Sequence, residues 1–128
     1  MTFNRIKISA ESTQRLRVLK TRTGLTPNIL SRLALCFSLN DKHIPKPAKS
    51  DEEGQEFNRY TLTGEWDLFF ISLIKERCKQ DNLDSEKELL PQFKAHLERG
   101  ILNIYSRVKY IGDLDNLLPD ELKSGVDI

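Results

Sequence analysis

Hydrophobic and polar residues alternate at the start of the chain. Over residues 3–8, Ile6 and Ile8 alternate with Arg5 and Lys7, which is the period of a β-strand with one buried face. The pattern therefore predicts a short N-terminal strand, with its two isoleucines on one side and its two cations on the other.

Two helices are predicted to follow this strand. Ser9 can cap a helix that starts at Ala10, and Gly24 supplies its stop. Thr26 followed by Pro27 predicts the start of the second helix, because a capping hydroxyl and a first-turn proline are both favourable there. Apolar residues then recur at helical spacing. The N-terminal part thus predicts a strand followed by two helices.

The helical pattern is interrupted over residues 41–62. Prolines and lysines fill the first half of this segment, and the acidic run Asp51-Glu52-Glu53 follows. Because the segment has almost no apolar period, we predict a loop, long enough to be either functional or mobile.

Beyond this loop, the chain is again helical in pattern. Thr63 can cap a helix that carries the strongest amphipathic stripe of the chain, which consists of Trp66, Phe69, Phe70, Leu73, Ile74 and Cys78. A capping-box pattern at Ser85 precedes a second long stripe. Pro91 is compatible with a helix that starts near it or with a kink, and we favour the start. Leu114, Leu117, Leu118 and Leu122 predict one or two short terminal turns.

The predicted architecture is a single, mainly α domain over residues 1–128. A short N-terminal strand and two helices form a basic part at residues 1–40, in an order like that of a ribbon-helix-helix. The loop at residues 41–62 follows. A further two to three helices, in an acidic part at residues 63–128, are expected to pack on the first two.

Charge is distributed unevenly along the chain. Residues 1–50 carry ten Lys and Arg against two acids, whereas residues 51–128 carry ten against seventeen. The net charge of +1 therefore combines a front near +8 with a rear near −7. Such a front attracts a polyanion, most simply nucleic acid. The candidate DNA-binding residues are Arg5, Lys7, Arg15, Arg17, Lys20, Arg22, Lys42, Lys46 and Lys49.

The sequence offers no catalytic or metal-binding constellation. His43 and His96 have no ligand spacing between them, and we interpret them as a loop residue and a helix-face residue. Cys36 and Cys78 fall among apolar neighbours without CxxC spacing, which predicts buried free thiols in a reducing compartment. We therefore expect no enzyme activity, no cofactor and no metal.

Hydropathy and composition indicate a soluble, cytoplasmic protein. No run of residues approaches the roughly 20 apolar residues that a membrane span needs. We accordingly expect no membrane partner.

The N-terminal pattern resembles the ribbon-helix-helix superfamily. The matching stretches are RIKISAE at residues 5–11 and GLTPNILSRLAL at residues 24–35. The resemblance implies that strands from two chains pair into a ribbon and that the second helix directs its N-terminus at phosphate. Free N–H groups and the helix dipole after Thr26 do favour an anion. A solvated face or a site for an acidic protein is the alternative that these residues leave open.

A closer resemblance extends over nearly the whole chain. The length, the basic strand-helix-helix front and HLERG at residues 96–100 are similar to the DndE family of small DNA sulfur-modification proteins. That resemblance implies a mainly helical homotetramer with no catalytic role of its own. It further implies binding to double-stranded DNA, with a preference for nicked duplex, beside other DNA sulfur-modification proteins.

The expected function is that of an accessory DNA-binding protein in DNA phosphorothioate modification. Clustered copies of the basic front would bind DNA, while the acidic rear would face away from it towards the other modification proteins. One alternative is a ribbon-helix-helix repressor that reads bases through Phe3, Arg5 and Lys7. The other is an assembly subunit that does not bind DNA.

Overall fold

The computed structural model describes residues 3–46 and 51–117, which form a mainly helical fold. Its elements in chain order are β1 (Arg5–Lys7), α1 (Ala10–Thr23), α2 (Pro27–Leu39), β2 (Glu56–Asn58), α3 (Arg59–Thr63), α4 (Asp67–Gln80) and α5 (Leu89–Arg107). Short 3₁₀ turns precede α4 and follow α5, at Gly64–Trp66 and Ile111–Leu117. The predicted class, a short N-terminal strand followed by helices, is confirmed.

The N-terminal strand β1 pairs with β2 in an antiparallel register that sets Ile6 opposite Phe57. Both of these side chains are buried, and the flanking residues of each strand are exposed. The predicted alternation of β1 is therefore confirmed. Its partner comes from the same chain, unlike the two-chain ribbon that the ribbon-helix-helix resemblance implies.

Local capping signals place both N-terminal helices as predicted. The Ser9 hydroxyl accepts a hydrogen bond from the N–H of Ser12, and α1 ends at Gly24, which adopts a left-handed conformation with φ 77°. Thr26 caps α2 by accepting from the N–H of Ile29, with proline in the first turn.

The prediction of a loop over residues 41–62 is wrong for the second half of this range. Residues 56–58 form β2, and α3 begins at Arg59. Backbone hydrogen bonds extend the pairing beyond the strands, because the N–H of Ile8 donates to Gln55 and the N–H of Gly54 donates to Ile8. The apolar signal of β2 is only Phe57, which is too short to show a period.

Helix α4 begins later than predicted. Thr63 ends α3 instead of capping α4, and its hydroxyl donates to the Arg59 carbonyl at 2.8 Å and to Asp67 at 2.7 Å. Within the predicted stripe, Phe70 is buried, whereas Phe69 is half exposed. One edge of the stripe therefore packs into the core, and the other edge is exposed at the surface.

Helix α5 starts at Leu89, so Pro91 falls in its first turn, where a proline is tolerated. The predicted start near Pro91 is therefore confirmed. The predicted capping box at Ser85 is wrong, because the residue before α5, Glu88, makes no side-chain capping hydrogen bond. Asp84 instead accepts the backbone N–H groups of Glu86 and Lys87 in the preceding turn.

Helix α5 packs most closely against α2. A Cβ on Gly100 would overlap the carbonyl oxygen of Ala34, so glycine is required where the two helices cross. Around this crossing lies the core, whose fully buried side chains include Leu30, Leu35, Phe93, Leu97, Ile101 and Ile104. The crossing fixes both N-terminal helices relative to α5.

The two cysteines differ in environment. Cys78 is buried in α4 as predicted, but Cys36 is exposed, because it lies on the side of α2 that faces an open cleft towards Phe69 rather than α5. The predicted terminal turn is present at residues 111–117, while residues 118–128 lie outside the described residues. In the described part of the chain, none of the helices combines the length and apolarity that crossing a membrane requires.

Candidate nucleic-acid interface

The cations of α1 project in different directions. An α-helix turns by about 100° per residue, so Arg15 and Arg22 share one side, while Arg17 and Lys20 lie elsewhere around the axis. The side of α1 that carries Arg15 and Arg22 is the one that packs against α5. The guanidinium carbons of Arg22 and Arg15 lie 4.8 and 5.8 Å from the ring centroid of Tyr105 in α5.

Helices α1 and α5 lie side by side and run in the same direction. At the N-terminal end of α1, the carboxylate of Glu98, which lies in the middle of α5, accepts the backbone N–H of Ser9 at 2.7 Å and its hydroxyl at 2.8 Å. Near their C-terminal ends, Arg22 donates to the carbonyl oxygens of Tyr105 and Val108 at 3.2 and 3.3 Å. The seam between the helices is therefore held by side chains at both ends.

Further cations lie along this seam. The Lys109 ammonium is 5.8 Å from the Tyr105 ring centroid. A cleft of about 250 Å³ at the other end is lined by Arg15, Lys46 and Arg99. We call this surface the basic flank; it consists of Arg15, Arg22, Lys46, Arg99 and Lys109.

Carboxylates neutralise the basic flank only in part. Glu11 pairs with Arg15, and Asp41 lies 3.7 Å from Arg99. By contrast, within residues 3–46 and 51–117, Arg22, Lys46 and Lys109 make no ion pair with a carboxylate. Three cations of the flank therefore retain an unbalanced charge for an anion to meet.

Two further acids lie beside the flank but are held by other donors. Asp113 accepts the backbone N–H groups of Lys109 and Tyr110 at 2.7 and 3.3 Å. Glu98, which also lines the cleft, accepts from the N-terminus of α1. Both carboxylates are thus held in place by backbone N–H groups of neighbouring segments.

Four of the other predicted contact residues lie away from the basic flank. Arg5 pairs with Glu56 at 3.2 Å across the two strands, and Lys7 lies beside the same acid. Arg17 and Lys20 are exposed on the outer side of α1. Lys42 is exposed on the same segment as Lys46, and Lys49 lies outside the described residues. From the predicted set, the structure thus brings together Arg15, Arg22 and Lys46.

The sequence analysis did not identify three residues that lie in or beside the basic flank. Arg99, Tyr105 and Lys109 belong to the acidic rear half, which was expected to face away from DNA. The spacing along α5 is itself a signal, because residues 99, 102 and 105 recur every three positions on one helical side. Lys109 lies two residues beyond the end of α5.

The buried histidine does not form a metal site. His96 is fully buried, and its Nδ1 lies 2.8 Å from the hydroxyl of Ser38, while its Nε2 has no hydrogen-bond partner among residues 3–46 and 51–117. Burial, together with the nearby cations of Arg77 and Arg99, lowers the pKa of His96 to about 3. The ring is therefore neutral near pH 7. His43 is exposed beside Asp41, and the described residues contain no group of side chains suited to a metal ion.

Comparisons with known proteins agree on one family. A family model described as DNA sulphur modification protein DndE matches residues 5–111. The crystal structure of DndE from Escherichia coli B7A, involved in DNA phosphorothioation modification, is 30% identical with a TM-score of 0.68; the match covers 81% of this chain and 98% of that one. A glycine-to-lysine mutant of DndE gives 28% identity, a TM-score of 0.66, and coverage of 81% and 99%. No match to a curated protein was found.

Proposed function

Because the chain belongs to the DndE family of DNA sulfur-modification proteins, we propose that it is an accessory subunit that binds duplex DNA through the basic flank. The observation that carries this proposal is the convergence of Arg22, Lys46 and Lys109, none of them ion-paired among the described residues, along one seam. Lys42, on the same segment as Lys46, extends the surface.

Binding of this kind acts on phosphates rather than on bases. Each phosphate that a cation neutralises releases counterions and steepens the log–log salt dependence by about 0.9. Arg22 is held by two carbonyls and by Tyr105, so its position is set before DNA arrives. Strand β1 pairs with β2 of its own chain and not with a second chain. We therefore assign DNA binding to the basic flank and not to a two-chain ribbon.

Assembly would multiply these contacts. The cleft between α2 and α4 has a volume of about 400 Å³ and is lined by exposed or half-exposed apolar side chains, among them Ile29, Leu33, Trp66 and Phe69. Apolar patches of this kind mark protein contacts. We place the subunit contact of a homotetramer here, which leaves the basic flank of each copy open.

A preference for nicked duplex follows from such a multivalent surface. A nick lowers the energy needed to bend DNA onto several fixed flanks, and so favours binding without base contacts. The protein would then hold DNA for the other modification proteins, which perform the chemistry. We assign it no catalytic residue, cofactor or metal.

The test compares three matched pairs of lysine or arginine replacements. Lys46→Gln with Lys109→Gln removes two cations from the flank, and Arg17→Gln with Lys20→Gln removes two from the outer side of α1. Lys79→Gln with Lys87→Gln is the control on the rear half, where both side chains are exposed.

Affinity for nicked, intact and single-stranded DNA is measured by fluorescence anisotropy over a range of salt. The flank pair should lower the salt slope by about two and weaken binding at every sequence, while the control pair leaves both unchanged. A loss confined to Arg17 and Lys20 would move the site to the outer side of α1. Negligible DNA binding by the unsubstituted protein, with a stable complex with modification proteins, would instead indicate an assembly subunit.

A further inference from the structure

Two arginines from different helices hold the segment that follows α2. Arg77 of α4 donates to the carbonyl oxygens of Leu39, Asp41 and His43 at 3.1, 2.7 and 2.8 Å. Leu39 is the last residue of α2, so its carbonyl has no partner within the helix. The Arg77 guanidinium therefore caps the C-terminus of α2 and holds the backbone carbonyls of two residues beyond it.

Arg99 of α5 also donates hydrogen bonds to this segment and to the end of α2. It donates to the carbonyl and hydroxyl oxygens of Ser38, both at 2.8 Å, and to the carbonyl of His43 at 2.7 Å. The two arginines thus meet on the His43 carbonyl. Arg77 is further aimed by its ion pair with Asp81 at 3.0 Å, and both side chains of that pair are 9% exposed.

We propose that Arg77 and Arg99 form a clamp that fixes residues 41–46 in advance, so that Lys42 and Lys46 are held in position for the phosphates of DNA. This proposal rests on the proposed function of the basic flank. Lys42 and Lys46 are exposed on the clamped segment, with their ammonium groups free of ion pairs among the described residues. Fixing their backbone beforehand removes an entropy cost from binding.

Arg77 is the residue to test, because it is buried and does not itself reach DNA. Arg77→Lys keeps the charge but loses the planar fork that serves three carbonyls at once. We expect affinity for duplex DNA to fall by about fivefold to tenfold, the order of cost of ordering one residue on binding. The salt slope should remain unchanged. The backbone amides of Asp41 and His43, which donate hydrogen bonds to the Ser38 carbonyl and the Asp41 carboxylate, should exchange hydrogen faster in the variant.

A double-mutant cycle separates positioning from general destabilisation. In a background with Lys42→Gln and Lys46→Gln, Arg77→Lys should no longer affect affinity, since the clamped cations are gone. Arg59→Lys is the matched control: Arg59 is equally buried but holds Asp67 and the Phe3 carbonyl instead. It should lower stability without changing the exchange of residues 41–46.

The outcomes distinguish the clamp from the function on which it rests. Binding by the unsubstituted protein with no loss in Arg77→Lys, or an equal loss in both backgrounds, overturns the clamp and leaves the basic flank standing. No DNA binding at all contradicts the flank and the clamp together. If Arg77→Lys fails to fold, Asp81→Asn loosens the ion pair that aims Arg77 and should give a smaller loss in the same direction, again only while Lys42 and Lys46 are present.

Discussion

Acidification should destabilise the protein through His96, which is buried where α2 meets α5. Protonation would place a third cation next to Arg77 and Arg99, and Asp41 is the acid that faces it in partial compensation. Both ring nitrogens would then be donors, although the described part of the chain offers Nε2 no acceptor. The folded state therefore favours the neutral ring, and folding opposes proton uptake.

The size of the effect follows from the two pKa values. The pKa of His96 falls from an ordinary 6.5 to about 3 on folding, so its contribution to stability is complete above pH 6.5 and is lost as the pH falls towards 3. Linkage gives a loss of about 2 kcal/mol at pH 5 relative to pH 8. Asp41, Asp51 and Asp84, whose pKa values are lowered by hydrogen bonds from backbone N–H groups, start from 3.8 and act at lower pH.

Urea unfolding at fixed protein concentration, followed by helical circular dichroism between pH 8 and pH 5, measures this loss. His96→Asn is the control, because its amide retains a partner for Ser38 and does not titrate. His43 is present in both proteins, so it cancels from the comparison. The free energy of unfolding should fall by about 2 kcal/mol in the parent protein and much less in the variant. Equal pH dependence in the two proteins would refute the buried, neutral His96.

Three further variants test the packing and the assembly. Gly100→Ala should lower the free energy of unfolding by about 1–3 kcal/mol or more in urea titrations, because its Cβ meets the Ala34 carbonyl; an unchanged midpoint would contradict the close crossing. Glu98→Ala should cost about 1–3 kcal/mol by removing the acceptor of the Ser9 N–H and hydroxyl, and a calorimetric scan without a lower Tm would argue against that anchor. Leu33→Glu with Phe69→Glu should convert a tetramer to monomers in sedimentation velocity, and persistence of the tetramer would exclude the apolar cleft as its interface.

Local signals in the sequence were sufficient for the two N-terminal helices. Caps such as Ser9 and Thr26 act within three residues, and Gly24 supplies the left-handed stop, so the sequence alone located both helices. Strand β2 escaped detection because its stability comes from pairing with β1, about fifty residues earlier in the chain. A three-residue strand with one buried side chain has no readable period.

The basic flank illustrates a different limit. The sequence identified Arg15, Arg22 and Lys46 as cations, but their convergence depends on how α1 packs against α5. The acidic net charge of residues 51–128 concealed Arg99 and Lys109, because a charge count over a long segment does not show which of its cations lie on one surface.

Segment 96–100 lies where three helices meet. Its residues contact Ser38, the N-terminus of α1 and the Ala34 carbonyl in turn, so several elements depend on five consecutive positions. The segment therefore contributes to packing at the junction of α1, α2 and α5.

Lysine footprinting with and without bound duplex is the most direct test of the basic flank. Reductive methylation of the DNA complex, followed by mass spectrometry, reports which ammonium groups the phosphates cover. We predict that Lys46 and Lys109 are protected, while Lys79 and Lys87 on the rear half react as in the free protein. Full reactivity of Lys46 and Lys109 in a saturated complex would contradict the assignment of this surface to DNA.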